Sequence, residues 1–141
     1  MKNLIIALGF LLMTSCQAEG ELTKDPVTVI PPVITTPNNM VLKYSGEFVS
    51  SPGESVSGSA KIYLDKTNQL ILENVIANGP DLKVYLSKTD SPVDFVNLGS
   101  LVKSKITYEI PSGIDVSNYG YVIIYCQQYS VKFGVSKLTK S

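Results

Sequence analysis

The sequence contains no histidine, no tryptophan and no arginine, and its twelve basic residues are all lysine. The missing histidine excludes a Ser-His-Asp triad, a Cys-His nucleophile pair, and zinc or blue-copper sites that use histidine. The missing arginine excludes a bidentate arginine clamp on phosphate. Twelve acidic residues balance the lysines, which argues against the basic stripe that nucleic-acid binding requires. We therefore expect neither a self-contained enzyme nor a nucleic-acid partner.

The first fifteen residues have the features of a bacterial secretion signal. Lys2 gives a short positive start, and residues 4–13 (LIIALGFLLM) form an uninterrupted apolar run. A helix needs about 20 residues to cross a bilayer, so this run fits the apolar region of a signal peptide instead. Residues 13–16 (MTSC) resemble the lipobox of bacterial lipoproteins. That resemblance implies cleavage before Cys16, diacylglycerol on its sulfur and acylation of its new amino group. An ordinary signal peptide with an incidental cysteine is the alternative.

These features divide the chain into a signal peptide at 1–15, a lipidated tether at 16–39 and a folded domain at 40–141. The tether holds four of the eight prolines, between threonines and valines, which favours an extended path of about 3.1 Å per residue. Because Gln17 rather than aspartate follows the lipid cysteine, nothing resembles an inner-membrane retention signal. We expect an outer-membrane protein held by the lipid on Cys16, facing the periplasm or the cell exterior.

Residues 40–141 alternate short apolar runs with turn sequences such as residues 78–81 (NGPD) and show no helical period. About eight strands at this spacing predict an all-β fold, an antiparallel β-sandwich or barrel. Residues 119–126 (YGYVIIYC) are apolar at successive positions, which predicts a central strand buried on both faces. Near the C-terminus, the alternation predicts that Val131, Phe133 and Val135 point inward and that Gly134 lies on the outer face.

Two segments carry a resemblance to a known family. Residues 78–86 (NGPDLKVYL) and 121–134 (YVIIYCQQYSVKFG) are similar to two signatures of the DM-thirteen domain family. Shorter matches lie between and before them, so the resemblance covers nearly all of 47–138. It implies an extracellular or membrane-tethered β domain that serves electron transfer, with a near-invariant cysteine in the penultimate strand. Cys126 occupies that place. Tyr125 stands where the family often has tryptophan.

Cys126 is the candidate redox residue, and Asp81 and Tyr125 are its candidate supporting residues. Once Cys16 is lipidated, Cys126 is the only thiol left, so redox chemistry needs a partner's thiol, sulfenic acid formation or a prosthetic group. We predict no cofactor, because a haem or other group on Cys126 would lack the usual further ligands. The alternative role for Cys126 is that of a small buried hydrophobic residue. Asp81, beside Pro80, is expected to cap its turn or to accept a hydrogen bond from that end of the sheet.

A second hypothesis concerns tyrosines that alternate onto the outer face of the sheet. Tyr63, Tyr85 and Tyr121 form a candidate binding face, together with Tyr125 and neighbouring lysines. Aromatic rings among polar side chains can stack on sugars or anchor a protein partner.

The leading prediction from the sequence is a membrane-anchored redox accessory module with a redox or envelope protein partner. The alternative is a non-catalytic ligand-binding, partner-binding or structural envelope domain.

Overall fold

The computed structural model describes residues 40–141, and within them it contains nine β-strands and one short 3-10 turn at Val116–Asn118. The strands are β1 (Val41–Ser50), β2 (Val56–Leu64), β3 (Gln69–Ala77), β4 (Leu82–Ser87), β5 (Phe95–Ser100), β6 (Thr107–Glu109), β7 (Tyr121–Cys126), β8 (Val131–Lys137) and β9 (Thr139–Lys140). The predicted signal peptide, Cys16 and the tether lie outside the described residues. In the part that is described, no helix has the length and apolar character needed to cross a membrane.

All strand pairs are antiparallel, and the strands form one sheet in the order β5-β4-β7-β8-β1-β2-β3-β6, with β9 added beside β1. The sheet curls until its two edge strands, β5 and β6, approach each other, so it is nearly closed into a barrel. The all-β prediction is confirmed, and the nearly closed barrel decides between the two predicted architectures. The segment from β5 to β6 crosses the remaining seam.

The core fills the inside of this curled sheet. Apolar and polar side chains alternate along the strands, so one face of each strand supplies the core residues. On β4, Leu82, Val84 and Leu86 point into the core. On β7, Val122 and Ile124 do the same and are fully buried. The other face of β7 is buried at Ile123 and half-buried at Tyr121 and Tyr125, and the strand pairs with β4 and β8. The prediction of a central strand is therefore confirmed for β7, and its outer face is buried at the middle of the strand.

A β-bulge in β8 overturns one predicted alternation. The register between β7 and β8 shifts at Phe133, so two consecutive residues, Phe133 and Gly134, both turn towards the core. Val135 then pairs with Ile123, which lies outside the main core cluster, and it does not point inward beside Val131 and Phe133 as predicted. A bulge inserts one residue into one strand, and every later side chain changes face. The period-2 pattern alone does not reveal it.

Candidate functional site

Cys126 is the last residue of β7, and its side chain is 0% exposed. It pairs with Leu82 of β4 on one side and with Val131 of β8 on the other, and it belongs to the main core cluster. Among the described residues it is the only free cysteine. The candidate redox residue is therefore a packed core side chain at one end of the barrel.

The thiol of Cys126 donates a hydrogen bond to the backbone carbonyl of Pro80, with 3.0 Å between Sγ and the oxygen. Pro80 belongs to the loop that joins β3 to β4, so this loop lies over the end of β7. The same loop is packed tightly, because a Cβ added at Gly79 would lie 2.5 Å from the Cζ atom of Phe133. One short loop, residues 78–81, thus covers the sulfur.

Asp81 shapes this loop and does not hydrogen-bond the thiol. Its backbone has a φ of 48°, a left-handed conformation that aspartate tolerates better than most residues. Its carboxylate forms an ion pair of 2.7 Å with Lys83, and its carbonyl accepts a hydrogen bond from the amide of Gln127 at 3.2 Å. Asp81 therefore connects the start of β4 to the turn after β7, as a turn-capping residue would.

The lysines nearest to Cys126 in the sheet are engaged elsewhere. Lys83 contacts Asp81 and also donates to the hydroxyl of Ser100 at 2.8 Å. Lys132 donates to the carbonyl of Asp90 at 2.8 Å. Both side chains lie on the outer face of the sheet, across from the thiol. With the loop at residues 78–81 over the sulfur, neither lysine supplies the nearby positive charge that stabilises a reactive thiolate.

Tyr85 and Tyr125 lie together on the outer face of β4 and β7. The Tyr85 ring stacks on Phe95 with 4.0 Å between ring centroids and on Tyr125 with 5.3 Å. As a result Tyr85 is only 2% exposed, and this burial, helped by the neighbouring Tyr125, raises the pKa of its hydroxyl above the usual tyrosine value. Tyr85 therefore stabilises an outer aromatic cluster and does not present its ring to solvent.

The other two tyrosines of the predicted binding face are separated. Tyr121 is half-buried at the start of β7, where it pairs with Lys137 of β8. Tyr63 lies on β2, where it pairs with Leu42 and Gln69, and both β8 and β1 stand between it and β7. The structure thus brings Tyr85 and Tyr125 into contact and leaves Tyr63 on another part of the curled sheet.

Comparison with known proteins identifies the family of this chain. The family model described as "Electron transfer DM13" matches residues 47–138, which is well over half of the chain. The chain belongs to the electron transfer DM13 family. The suspected resemblance is thereby confirmed, and it supports an electron-transfer role for the domain. No curated protein and no solved structure matches the chain.

The electron transfer DM13 domain also has a cleft that our sequence reasoning missed. A hollow of about 670 Å³ lies at the seam of the barrel, between β3, the start of β4 and the segment that joins β5 to β6. Its lining includes Leu72 and Leu82, both core residues, together with Lys103 and Lys105. Gly79 also lines it, so the cleft and Cys126 share the loop at residues 78–81. The apolar and basic residues at 101–106 (LVKSKI) were the available signal in the sequence.

Metal ligands are scarce in this domain. Within residues 40–141 there is no group of three histidine, cysteine, aspartate or glutamate side chains close enough to hold a metal ion together. A cofactor bound through Cys126 would have to displace the carbonyl of Pro80 from the thiol and enter through the loop above it. The described residues therefore offer one buried thiol, with the cleft on the other side of the loop at residues 78–81.

Proposed function

We propose that this protein is a lipid-anchored envelope lipoprotein whose electron transfer DM13 domain is a redox accessory module centred on Cys126. In this proposal the lipid on Cys16 holds the chain at the outer membrane, with the domain in the periplasm or on the cell surface. The domain is not a stand-alone catalyst, because it exchanges electrons with an envelope protein partner. The single observation that carries the proposal is the family match over residues 47–138, which includes Cys126.

Thiol–disulfide exchange with a disulfide of the partner is the chemistry that one free thiol supports. The Cys126 thiol gives its proton to water, and its sulfur attacks one sulfur of the partner's disulfide. The bond between Cys126 and that sulfur forms as the partner's sulfur–sulfur bond breaks. The second partner sulfur leaves as a thiolate and takes up a proton. Cys126 is oxidised in the mixed disulfide, and the released partner sulfur is reduced.

Access to the thiol then depends on the loop at residues 78–81. The contacts that hold this loop over Cys126 are the hydrogen bond to Pro80 and the packing of Gly79 against Phe133. A short surface loop opens more readily than the strands it joins, because its local unfolding exposes few core contacts. Opening this loop would uncover the sulfur without separating β7 from its neighbours.

The proposal is tested by the reaction of the natively purified full chain with dithiobis-nitrobenzoate, an aromatic disulfide that stands for the partner's. Exchange at Cys126 releases one coloured thionitrobenzoate per chain, which absorbance measures directly. We expect one equivalent from the native chain and none from the Cys126→Ser variant. An absorption spectrum taken on the same sample reports any prosthetic group.

The result that would overturn the redox role is a native chain that releases nothing and has no visible absorbance. Denaturing the same sample must then release one equivalent, which proves that the thiol was present and reduced. In that case Cys126 is a core residue only. Far-UV circular dichroism of the Cys126→Ser variant verifies that it keeps its β structure.

A further inference from the structure

The seam cleft combines an apolar floor with a basic rim. Its floor includes Leu72 and Leu82, which belong to the core cluster. Three of its lining side chains are large hydrophobic residues that remain in contact with solvent: Ile76 is 65% exposed, Val102 49% and Ile106 41%. Isolated exposed hydrophobic residues are common, but a group of them around one hollow is typical of a binding site.

The basic residues of the cleft have no carboxylate partner. Lys103 and Lys105 form no ion pair among the described residues, whereas Lys61, Lys83 and Lys88 each contact a carboxylate. None of the described side chains that line the cleft is acidic. Two lysine ammonium groups therefore stand beside apolar walls without an anion to neutralise them.

The lining of the cleft is held in place by the backbone. The amide of Leu101 donates to the carbonyl of Leu82 at 2.8 Å, and the amide of Leu72 donates to the carbonyl of Ile106 at 2.8 Å. The segment 101–106 is thus tied to β4 at one end and to β3 at the other. A cleft built this way exists before any ligand arrives, which reduces the entropy cost of binding.

The Tyr108 ring positions one of the two lysines. The Lys105 Nζ atom lies 4.6 Å from the centroid of the Tyr108 ring, a cation–π contact. Tyr108 is itself fully buried, and its hydroxyl donates to the carbonyl of Ser100 at 3.0 Å. The ammonium group is therefore held at the cleft by a fixed ring, and its hydrogens remain available to an anion.

We propose that this seam cleft binds an amphipathic anion, a small molecule with an apolar body and one acidic head. The apolar body packs on Leu72 and Leu82, and the acidic head pairs with Lys103 and Lys105. The volume of about 670 Å³ falls in the range of small-molecule sites, roughly 300–1,000 Å³. A peptide that adds a strand to β3 is a less suitable ligand. Asn74 has a φ of 51°, and this left-handed residue interrupts the edge of β3 along which such a strand would pair.

Two fluorescent probes that differ only in the acidic group test this binding. Anilinonaphthalene sulfonate carries an apolar body and a sulfonate, and N-phenyl-1-naphthylamine is its uncharged analogue. Each is titrated into the full chain carrying Cys16→Ser, which is prepared without detergent. We expect saturable binding of both probes, with the sulfonate bound more tightly because it also contacts the lysines.

Charge-removing variants then locate the acidic head. In Lys103→Gln/Lys105→Gln we expect the Kd for the sulfonate probe to rise at least tenfold and the Kd for the uncharged probe to change less than twofold. The matched control is Lys66→Gln/Lys140→Gln, which removes the same charge from exposed sites outside the cleft and leaves both Kd values unchanged. In Ile106→Asp, the carboxylate replaces an apolar part of the cleft lining, so we expect the Kd of both probes to rise.

The inference is overturned if neither probe saturates, or if Lys103→Gln/Lys105→Gln binds the sulfonate as tightly as the parent chain. Both lysines are exposed, so their substitution leaves the core intact, and circular dichroism verifies this. The cleft does not depend on the redox role of Cys126. The Cys126→Ala variant separates the two, since it loses the thiol reaction and keeps probe binding.

Discussion

A Cβ atom added to Gly79 would lie 2.5 Å from the Cζ atom of Phe133, so the loop over Cys126 rests on this ring with no room for a methyl group. Phe133 is buried in the core cluster, so moving its ring disturbs its core neighbours. In Gly79→Ala we therefore expect the free energy of unfolding to fall by about 1–3 kcal/mol, the usual cost of overpacking. Urea denaturation followed by circular dichroism measures this change.

The same substitution should raise the reactivity of Cys126, because lifting the loop breaks the hydrogen bond from the thiol to Pro80. The control is Gly120→Ala, where nothing lies within 4 Å of the added Cβ. We expect Gly120→Ala to leave stability unchanged or to raise it by up to about 1 kcal/mol, through the unfolded chain. Equal stability of the two variants would show that the loop does not depend on the Gly79 contact.

The sequence allowed the strands to be predicted, because alternation and turn residues mark them locally. It also allowed the place of Cys126 at the end of an interior strand to be predicted, since β7 is apolar on both faces. The bulge at Phe133 and the burial of Tyr85 were not predictable in this way. Both depend on which strands become neighbours: Tyr85 is covered by Phe95, which β5 brings beside it. The seam cleft likewise exists only because β5 and β6 approach without pairing.

Tyr85 and Tyr121 should respond very differently to substitution by alanine. Tyr85 is stacked between two rings and is almost fully buried, so Tyr85→Ala is expected to cost about 3–5 kcal/mol. Tyr121 is only half-buried, and we expect Tyr121→Ala to cost about 1 kcal/mol or less. Urea denaturation of both variants measures these costs.

This difference decides how the predicted binding face is tested. If Tyr85→Ala lost glycan or protein binding, the cause could be either unfolding or the missing contact. Tyr121→Ala is therefore the informative variant. If Tyr121→Ala binds envelope glycans and proteins as the parent chain does, the binding-face hypothesis loses the more accessible of these two tyrosines. Equal stability of the two variants would contradict the stacked geometry of Tyr85.

Tyr108 should make the domain sensitive to alkali. Burial raises the pKa of its hydroxyl above the usual value of 10.0, and the unfolded chain loses this proton first. Its contribution to stability is therefore complete well below pH 10 and is lost as the pH rises through 10 towards the higher pKa of the folded state. We expect the free energy of unfolding to fall between pH 9 and pH 10.5 in the parent chain.

The Tyr108→Phe variant should weaken this dependence, and Tyr85, whose pKa is also raised by burial, contributes the part that remains. At pH 7 it loses the hydrogen bond to Ser100, at a cost of about 1 kcal/mol, but it has no proton to release at high pH. Urea denaturation of both chains at pH 7, 9 and 10.5 makes the comparison. An equal loss of stability in both chains above pH 9 would assign the alkaline effect to other groups.

Cys16 should decide where the chain resides. A single acyl chain gives only marginal membrane binding, and a second chain makes it stable, at about 0.8 kcal/mol for each buried methylene group. If the lipobox-like sequence at residues 13–16 is used, Cys16→Ser removes the sulfur that carries the diacylglycerol and blocks the acylation that follows. We expect the variant to incorporate no labelled palmitate and to leave the outer-membrane fraction.

The matched control is Gln17→Ser, which introduces the same residue one position later and keeps the cysteine. It should carry the palmitate label and sediment with the outer membrane as the parent chain does. Because the label reports acylation directly, it separates a lipid anchor from a signal peptide that remains uncleaved in the membrane. A Cys16→Ser chain that still carries labelled palmitate would contradict the lipid attachment at this residue.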